Sequence, residues 1–232
     1  MDLAGRTALV TGANRGLGRH FAEQLLKRGA TVYAGARNPA SVDLPGAIPI
    51  ALDVTDPESV AAAARTATGV SILVNNAGSS TGASVLDGSL EDIRLEMDTH
   101  YYGTLLVTRA FAPQLAEHDS SAVLNVLSVL SWINLPGVAA YAAAKSAAWS
   151  LTNALRNELA AQGTQVTALH VGYMDTDMAS HVDAPKSDPA VVAELALDGV
   201  AAGEPEVLAD DLSRQVQAGL AGGVTALYPQ PA

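Results

Sequence analysis

The chain has no cysteine among its 232 residues. Disulfides, thiolate nucleophiles and thiolate-held metals are therefore excluded, which leaves histidine and carboxylates as the available metal ligands. The five histidines, at 20, 100, 118, 170 and 181, show no ligand spacing. Basic residues are scarce too: 13 Lys and Arg against 24 Asp and Glu give a formal net charge of -11. That balance disfavours nucleic acid as a partner, because nonspecific binding to a phosphate backbone rests on clustered cations. Only 16% of residues are charged and 49% are hydrophobic, a composition that folds rather than staying disordered. No uninterrupted apolar run approaches the roughly 20 residues of a membrane span, so no membrane partner is expected. The opening MDLAGRTALVTG has neither the basic flank nor the apolar segment of a secretory signal, and the expected location is cytoplasmic.

What the sequence does contain is an alternation. Short runs rich in Val, Leu and Ile recur at 7–11, 31–35, 48–52, 70–75, 122–128 and 165–171, the pattern of parallel strands buried on both faces. Helical stretches lie between them, at roughly 16–28, 57–67, 90–117 and 139–161, each long enough to cross the sheet. The expected architecture is α/β, a Rossmann-type doubly wound parallel sheet with helices on both faces. Asp56-Pro57 and Ser89 mark helix starts through a capping side chain or a proline in the first turn. No repeat or composition shift divides the chain, so 1–232 is expected to be a single domain. Within it, 179–206 reads as a substrate loop with a short helix from about 188, followed by a strand at EVLAD and a helix at 210–220. Residues 222–232 read as a mobile tail.

The first strand runs into Thr11-Gly12-Ala13-Asn14-Arg15-Gly16-Leu17-Gly18 and then at once into a helical pattern. Glycines let the backbone turn tightly and approach phosphates, and the free N–H groups of a helix start face negative charge. The spacing is GxxxGxG, and it lacks the Gly-Lys-Ser/Thr of a triphosphate loop. After the second strand, where an acid would accept hydrogen bonds from a ribose, the chain carries Arg37. With Arg15 in the turn, it suits a 2′-phosphate, so NADP is expected rather than NAD.

Three motifs in order, TGANRGLG, Asn75-Asn76-Ala77-Gly78, and Ser128 thirteen positions before Tyr141-Ala142-Ala143-Ala144-Lys145, resemble the short-chain dehydrogenase/reductase family over roughly residues 5–178. The resemblance implies a single Rossmann-type domain and hydride transfer between NADP(H) and a small-molecule carbonyl or alcohol. It also implies a homodimer or homotetramer, and catalysis by Ser128, Tyr141 and Lys145. Tyr141 would be the general acid/base of a ketone or aldehyde reductase, with Ser128 on the substrate oxygen. Tyr141 and Lys145 stand one helical turn apart. Bringing a phenol from about 10 to about 7 takes roughly 4 kcal/mol, which an ammonium and an oxidised nicotinamide supply together in a dry site. On the cofactor side the resemblance implies Thr11, Gly12, Asn14, Arg15, Gly16, Leu17, Gly18, Arg37, Asp53, Val54, Asn75, Ala77, Gly78, Gly172 and Thr176, together with Tyr141 and Lys145.

Two positions depart from the family pattern. Val171 stands where a proline is usual, and His100 stands where an asparagine, three residues before glycine, holds a water that links the lysine to solvent. Histidine can hold such a water and also titrate near neutral pH, which makes His100 a candidate for the proton relay; a packed, neutral ring is the other reading. Two further classes compete. A serine hydrolase would use Ser80 in Gly78-Ser79-Ser80-Thr81-Gly82 with Asp175 and His181, but a nucleophile elbow runs straight into a helix and this segment does not. A non-catalytic NADP(H) sensor would keep the fold without turnover. The substrate pocket is expected along 79–87, 130–138 and 173–188, with Trp132, Ile133, Leu135 and Met178 giving it an apolar wall.

Overall fold

The computed structural model describes residues 1–228. Seven strands, β1 (Thr7–Thr11), β2 (Thr31–Ala36), β3 (Ile48–Ala51), β4 (Ile72–Asn75), β5 (Ser121–Val126), β6 (Thr164–His170) and β7 (Glu206–Leu208), form one sheet. Their order is β3-β2-β1-β4-β5-β6-β7, and every pairing is parallel. Parallel neighbours need crossovers, and the intervening helices supply them on both faces. One face packs Phe21, Leu25, Val192 and Leu197 from α1 (Gly16–Lys27) and α6 (Pro189–Ala202). The other packs Val60, Phe111, Leu115, Leu151 and Leu155. These come from α2 (Pro57–Thr66), α4 (Gly103–Leu115) and α5 (Ala139–Leu159). Phe111 is wholly buried, and truncating such a side chain to alanine costs about 3–5 kcal/mol.

The chain order reverses between β1 and β4, and in an open α/β sheet ligands bind at the carboxyl ends of the strands beside such a switch point. The caps read from sequence are formed: Asp56 accepts the Glu58 N–H, Ser89 accepts the Asp92 N–H, and Asp188 does the same for Ala190 at the start of α6. Helix α7 (Asp211–Gly219) follows β7.

Two segments differ from the sequence reading. The single helix expected over 90–117 is divided into α3 (Leu90–Met97) and α4 by a π turn at Asp98–Tyr102, where the Gly103 N–H bonds back five residues to Asp98 O. Glu96, near the end of α3, and His100, inside the wider turn, are both buried. Gly103 then packs so closely that a Cβ there would lie 2.8 Å from Val54 Cγ2. In the stretch expected as a tail, Val224–Leu227 form a short helix α8, and the Tyr228 hydroxyl accepts the Asn134 N–H at 2.6 Å. Residues 229–232 of that stretch lie outside the described residues. Among the described residues no helix is long and apolar enough to cross a membrane.

Candidate active site

A cleft of about 1130 Å³ runs along the carboxyl ends of the strands, from the glycine turn to the amino-terminal end of α5. At one end α1 begins with no side-chain cap and no acid in its first turn, so its open N–H groups and positive dipole end are available to an anion. The approach is kept open by glycine. A Cβ at Gly18 would lie 2.2 Å from Gly12 O and 2.4 Å from Asn76 Nδ2, closer than any side chain can sit, and Gly12 itself has a φ of +66°. The residues present thus fit the pyrophosphate of a dinucleotide. Arg37 and Asn38 line the cleft where it passes the end of β2, and both are exposed. Arg15 lines it too, in an ion pair with Asp177 at 3.2 Å. That pair is exposed on both sides, and such pairs are worth about 0–1 kcal/mol, little hindrance to a phosphate.

At the other end Ser128, Tyr141 and Lys145 converge on the cleft. Ser128 lies two residues past β5 and caps a tight turn, accepting the Leu130 N–H at 3.1 Å while its hydroxyl reaches Val171 O only at 3.4 Å. Its proton is therefore weakly engaged. Lys145 is 5% exposed, donates to Val126 O at 2.8 Å and stands 5.5 Å from the centre of the Tyr141 ring. Burial pulls its ammonium down from 10.5 to about 8, against the opposing pull of Glu96. Ala142 and Ala144 between them are buried, with Ala142 packed against Val129 and Leu130. Two of the three alanines thus serve close packing within the subunit.

Burial pushes the Tyr141 phenol well above its usual value; the Ser128 hydroxyl partly opposes that rise and the Glu96 carboxylate adds to it. The expected drop toward neutrality joins Lys145 with an oxidised nicotinamide; among the chain's own groups burial outweighs every lowering cause. Lys145 is bonded to a backbone carbonyl, and burial holds its ammonium below the usual value.

His100 is 3% exposed and meets the Tyr141 ring edge-on at 5.0 Å between centroids. Its Nε2 lies 3.0 Å from Ser79 O and 3.2 Å from Glu96 Oε2. Burial, together with the Lys145 charge, pushes its pKa down, outweighing the upward pull of Glu96 and Ser79. Of the two readings of this ring, burial favours the packed, neutral one.

Comparison with known proteins agrees with this geometry. The profile of the short chain dehydrogenase family matches residues 6–187. The chain belongs to that family. The 3-oxoacyl-[acyl-carrier-protein] reductase FabG of Vibrio cholerae is 33% identical over 188 residues, 77% of each chain. Gluconate 5-dehydrogenase of Gluconobacter oxydans is 33% identical over 190 residues, 76% of this chain and 74% of that one. A short chain dehydrogenase of Burkholderia cenocepacia, solved in complex with NADP, superposes with a TM-score of 0.94 at 36% identity and covers all of both chains. This protein is accordingly an oxidoreductase of the short chain dehydrogenase family.

In this dehydrogenase most of the positions expected from sequence share the one cleft: Gly12, Asn14, Arg15, Gly16, Leu17, Gly18, Arg37, Asp53, Val54, Ala77, Gly78, His100, Ser128, Tyr141, Lys145, Gly172 and Thr176 all line it. Thr11 and Asn75 do not. Thr11 is buried beneath it, its Oγ1 accepting the N–H groups of Asn76 and Ala77, and Asn75 Nδ2 bonds Thr108 and Asn125 in the core. Thr11 thus supports the 76–78 turn from below, and Asn75 ties β4 to α4 and β5. Trp132, Ile133 and Leu135 also lie outside the cleft, because the turn after Ser128 folds the chain behind it and stacks Trp132 on His170 at 3.8 Å. Met178 does line it.

Two functional candidates were not among the site residues expected from sequence. Asn76, second in the asparagine pair, donates from Nδ2 to Thr11 O and Gly12 O and so shapes the glycine turn. Glu96 carries no motif signal beyond standing four residues before His100. Ser80, Asp175 and His181 form no hydrolase site: residues 76–89 contain no helix, and among the described residues no hydrogen bond joins Ser80 to His181.

Proposed function

We propose that this dehydrogenase is an NADP-dependent reductase of a ketone or aldehyde, in which Tyr141 gives the proton to the carbonyl oxygen. The observation that carries this reading is the meeting of Ser128, Tyr141 and Lys145 at one end of the cleft whose other end is the glycine turn. NADP is favoured over NAD because Arg37, just past β2, and Arg15, in the glycine turn, both line the cleft, and a guanidinium pairs bidentately with phosphate. The Burkholderia protein, similar over its whole length, was solved with NADP.

When bound, the nicotinamide supplies the hydride. The chain's own residues do the rest. Ser128 turns its weakly held hydroxyl proton to the substrate oxygen and orients it. Tyr141, its phenol raised by burial, stays protonated across the neutral range and donates to an oxygen gaining negative charge. Lys145, fixed through Val126 O, keeps two N–H donors and its charge beside that ring. The neutral phenol is the form that reduction consumes, whereas oxidation would first need Tyr141 ionised.

Relatives of equal identity are named for a 3-oxoacyl group on a carrier protein and for gluconate, so what they share belongs to the reaction. Pocket residues 79–82, Gly137, Val138, Met178 and His181 are the part of the cleft that sets this chain's substrate. A homodimer or homotetramer in the cytoplasm completes the reading.

The test is NADPH and NADH oxidation over a panel of aldehydes and ketones. Tyr141→Phe should lower the rate by about 10²–10⁴-fold with NADPH affinity unchanged. Arg37→Ala should weaken NADPH by about tenfold or more and leave NADH alone. Full reduction by Tyr141→Phe would overturn the proton assignment.

A further inference from the structure

Glu96 is the one buried residue of α3, and it is completely enclosed. A carboxylate in that position is costly unless its oxygens are bonded. Here both are. Oε1 accepts the Thr81 N–H at 2.5 Å; Oε2 accepts the Ser79 hydroxyl at 2.8 Å and lies 3.2 Å from His100 Nε2. Two donors thus come from the 79–82 rim of the substrate end of the cleft, and the third from the ring that meets Tyr141. One buried anion ties three parts of the pocket wall together.

The same anion decides where the single proton of His100 sits. Burial pushes the Glu96 carboxyl up, but the hydrogen bonds from His100, Thr81 and Ser79 outweigh it and hold it at about 2, so it is ionised in the neutral range. His100 is neutral there and carries one N–H. Its Nε2 faces two acceptors, the Glu96 carboxylate and Ser79 O at 3.0 Å. The reverse tautomer would set a bare lone pair against both. Nε2 therefore carries the proton, the Ser79 N–H at 3.3 Å cannot donate to it, and Nδ1 is left as an acceptor.

We infer that Glu96 is a positioning residue for carbonyl reduction, anchoring the 79–81 rim of the substrate pocket and locking His100 in its Nε2–H form against Tyr141. The inference rests on the reading of Tyr141 as proton donor. It also replaces the expected relay role of His100: a neutral ring whose one proton is committed to a buried carboxylate is a fixed wall rather than a shuttle.

Glu96→Gln tests it, since the amide keeps the volume and removes the charge. In protein labelled with ¹⁵N at histidine, wild-type His100 should show the Nε2–H tautomer, and Glu96→Gln should convert it to a mixture or to Nδ1–H. With a carbonyl substrate identified by the panel, KM should rise about tenfold in Glu96→Gln while NADPH affinity stays within about twofold. Ser79→Ala should raise KM with the tautomer unchanged, separating the rim from the ring. A merely structural Glu96 predicts a lower Tm with KM and the His100 resonances unmoved, and that result overturns the inference. Should Glu96→Gln not fold, the proton found on Nδ1 in the wild-type protein, or an unchanged KM in Ser79→Ala, overturns it equally. The tautomer is read without turnover. A failure of Tyr141→Phe to slow reduction would therefore sink the proton-donor reading while leaving the His100 result to be judged by itself.

Discussion

Replacing Lys145 with methionine should make the protein more stable at neutral pH and less stable at high pH. Lys145 is nearly enclosed and its ammonium is held down from 10.5 to about 8. A base depressed on folding contributes stability that is present above its unfolded pKa and is lost as pH falls through its folded one. At pH 7 the loss is complete, and the drop from 10.5 to about 8 corresponds to roughly 3.4 kcal/mol. Methionine fills similar space and removes that penalty, but leaves Val126 O without its donor at 2.8 Å. An unmatched buried carbonyl costs about 1–2 kcal/mol. The variant should thus gain about 1.4–2.4 kcal/mol at pH 7, a rise in Tm of about 3–10 °C for a chain of this size. By pH 10 the wild-type penalty has shrunk to about 0.8 kcal/mol, so the sign of the difference reverses between about pH 9 and 10. Denaturant melts or thermal scans of both proteins from pH 6 to 10.5 read this directly. Taking the difference at each pH cancels the titrations that both share, including the raised Tyr141, whose stabilising effect fades above pH 10. A wild-type protein that stays more stable than Lys145→Met at pH 7, with a difference that does not change with pH, would refute the argument that burial depresses this lysine.

Gly18→Ala should weaken NADPH binding by about 30-fold or more, since the new Cβ must displace Gly12 O and Asn76 Nδ2 from 2.2 and 2.4 Å and so reshape the turn. Fluorescence titration of NADPH checks this, and wild-type affinity in the variant would count against the glycine turn as the phosphate site. For the reductive reaction, kcat/KM should stay level from about pH 6 to 7.5 and fall above about 8 as Lys145 loses its proton. His100 and Glu96, both held below their usual values, should contribute no limb near neutrality. A fall beginning only near pH 10 would mean that the Lys145 charge is not needed.

Seven strands in order and a cleft at their carboxyl ends were legible because short Val, Leu and Ile runs, a glycine turn and a serine at a strand end each depend on local backbone physics. The interruption of the helix after Met97 was not, since the apolar pattern of LEDIRLEMDTHYYGTLLVTRAF runs on without a break and only Gly103 marks the tight contact with Val54. Trp132 was assigned to the pocket by type, and only the tight turn after Ser128 sends it to His170 instead. Thr11 and Asn75 have hydrogen-bond partners far along the chain, at Asn76, Thr108 and Asn125, which no spacing reveals. Glu96 was hidden for the same reason. On a helix whose other residues are not buried, one more acid looks solvated; its partners Ser79 and Thr81 lie in a loop that no spacing reveals, and His100 lies in the π turn that follows.

That turn brings a consequence for the proton chemistry. Tyr141 lies between a buried anion and a buried cation, and the two do not act on it equally. The Glu96 carboxylate raises the phenol and also favours the charged form of Lys145, whereas Lys145 is spoken for by Val126 O. Both effects favour the proton-loaded states, a neutral phenol and an ammonium, which are the states carbonyl reduction consumes. Ionising Tyr141 for the oxidative direction would have to overcome both burial and Glu96. Burial is the larger of those two barriers and Glu96 adds to it, an acid that the tyrosine and lysine motif does not mark.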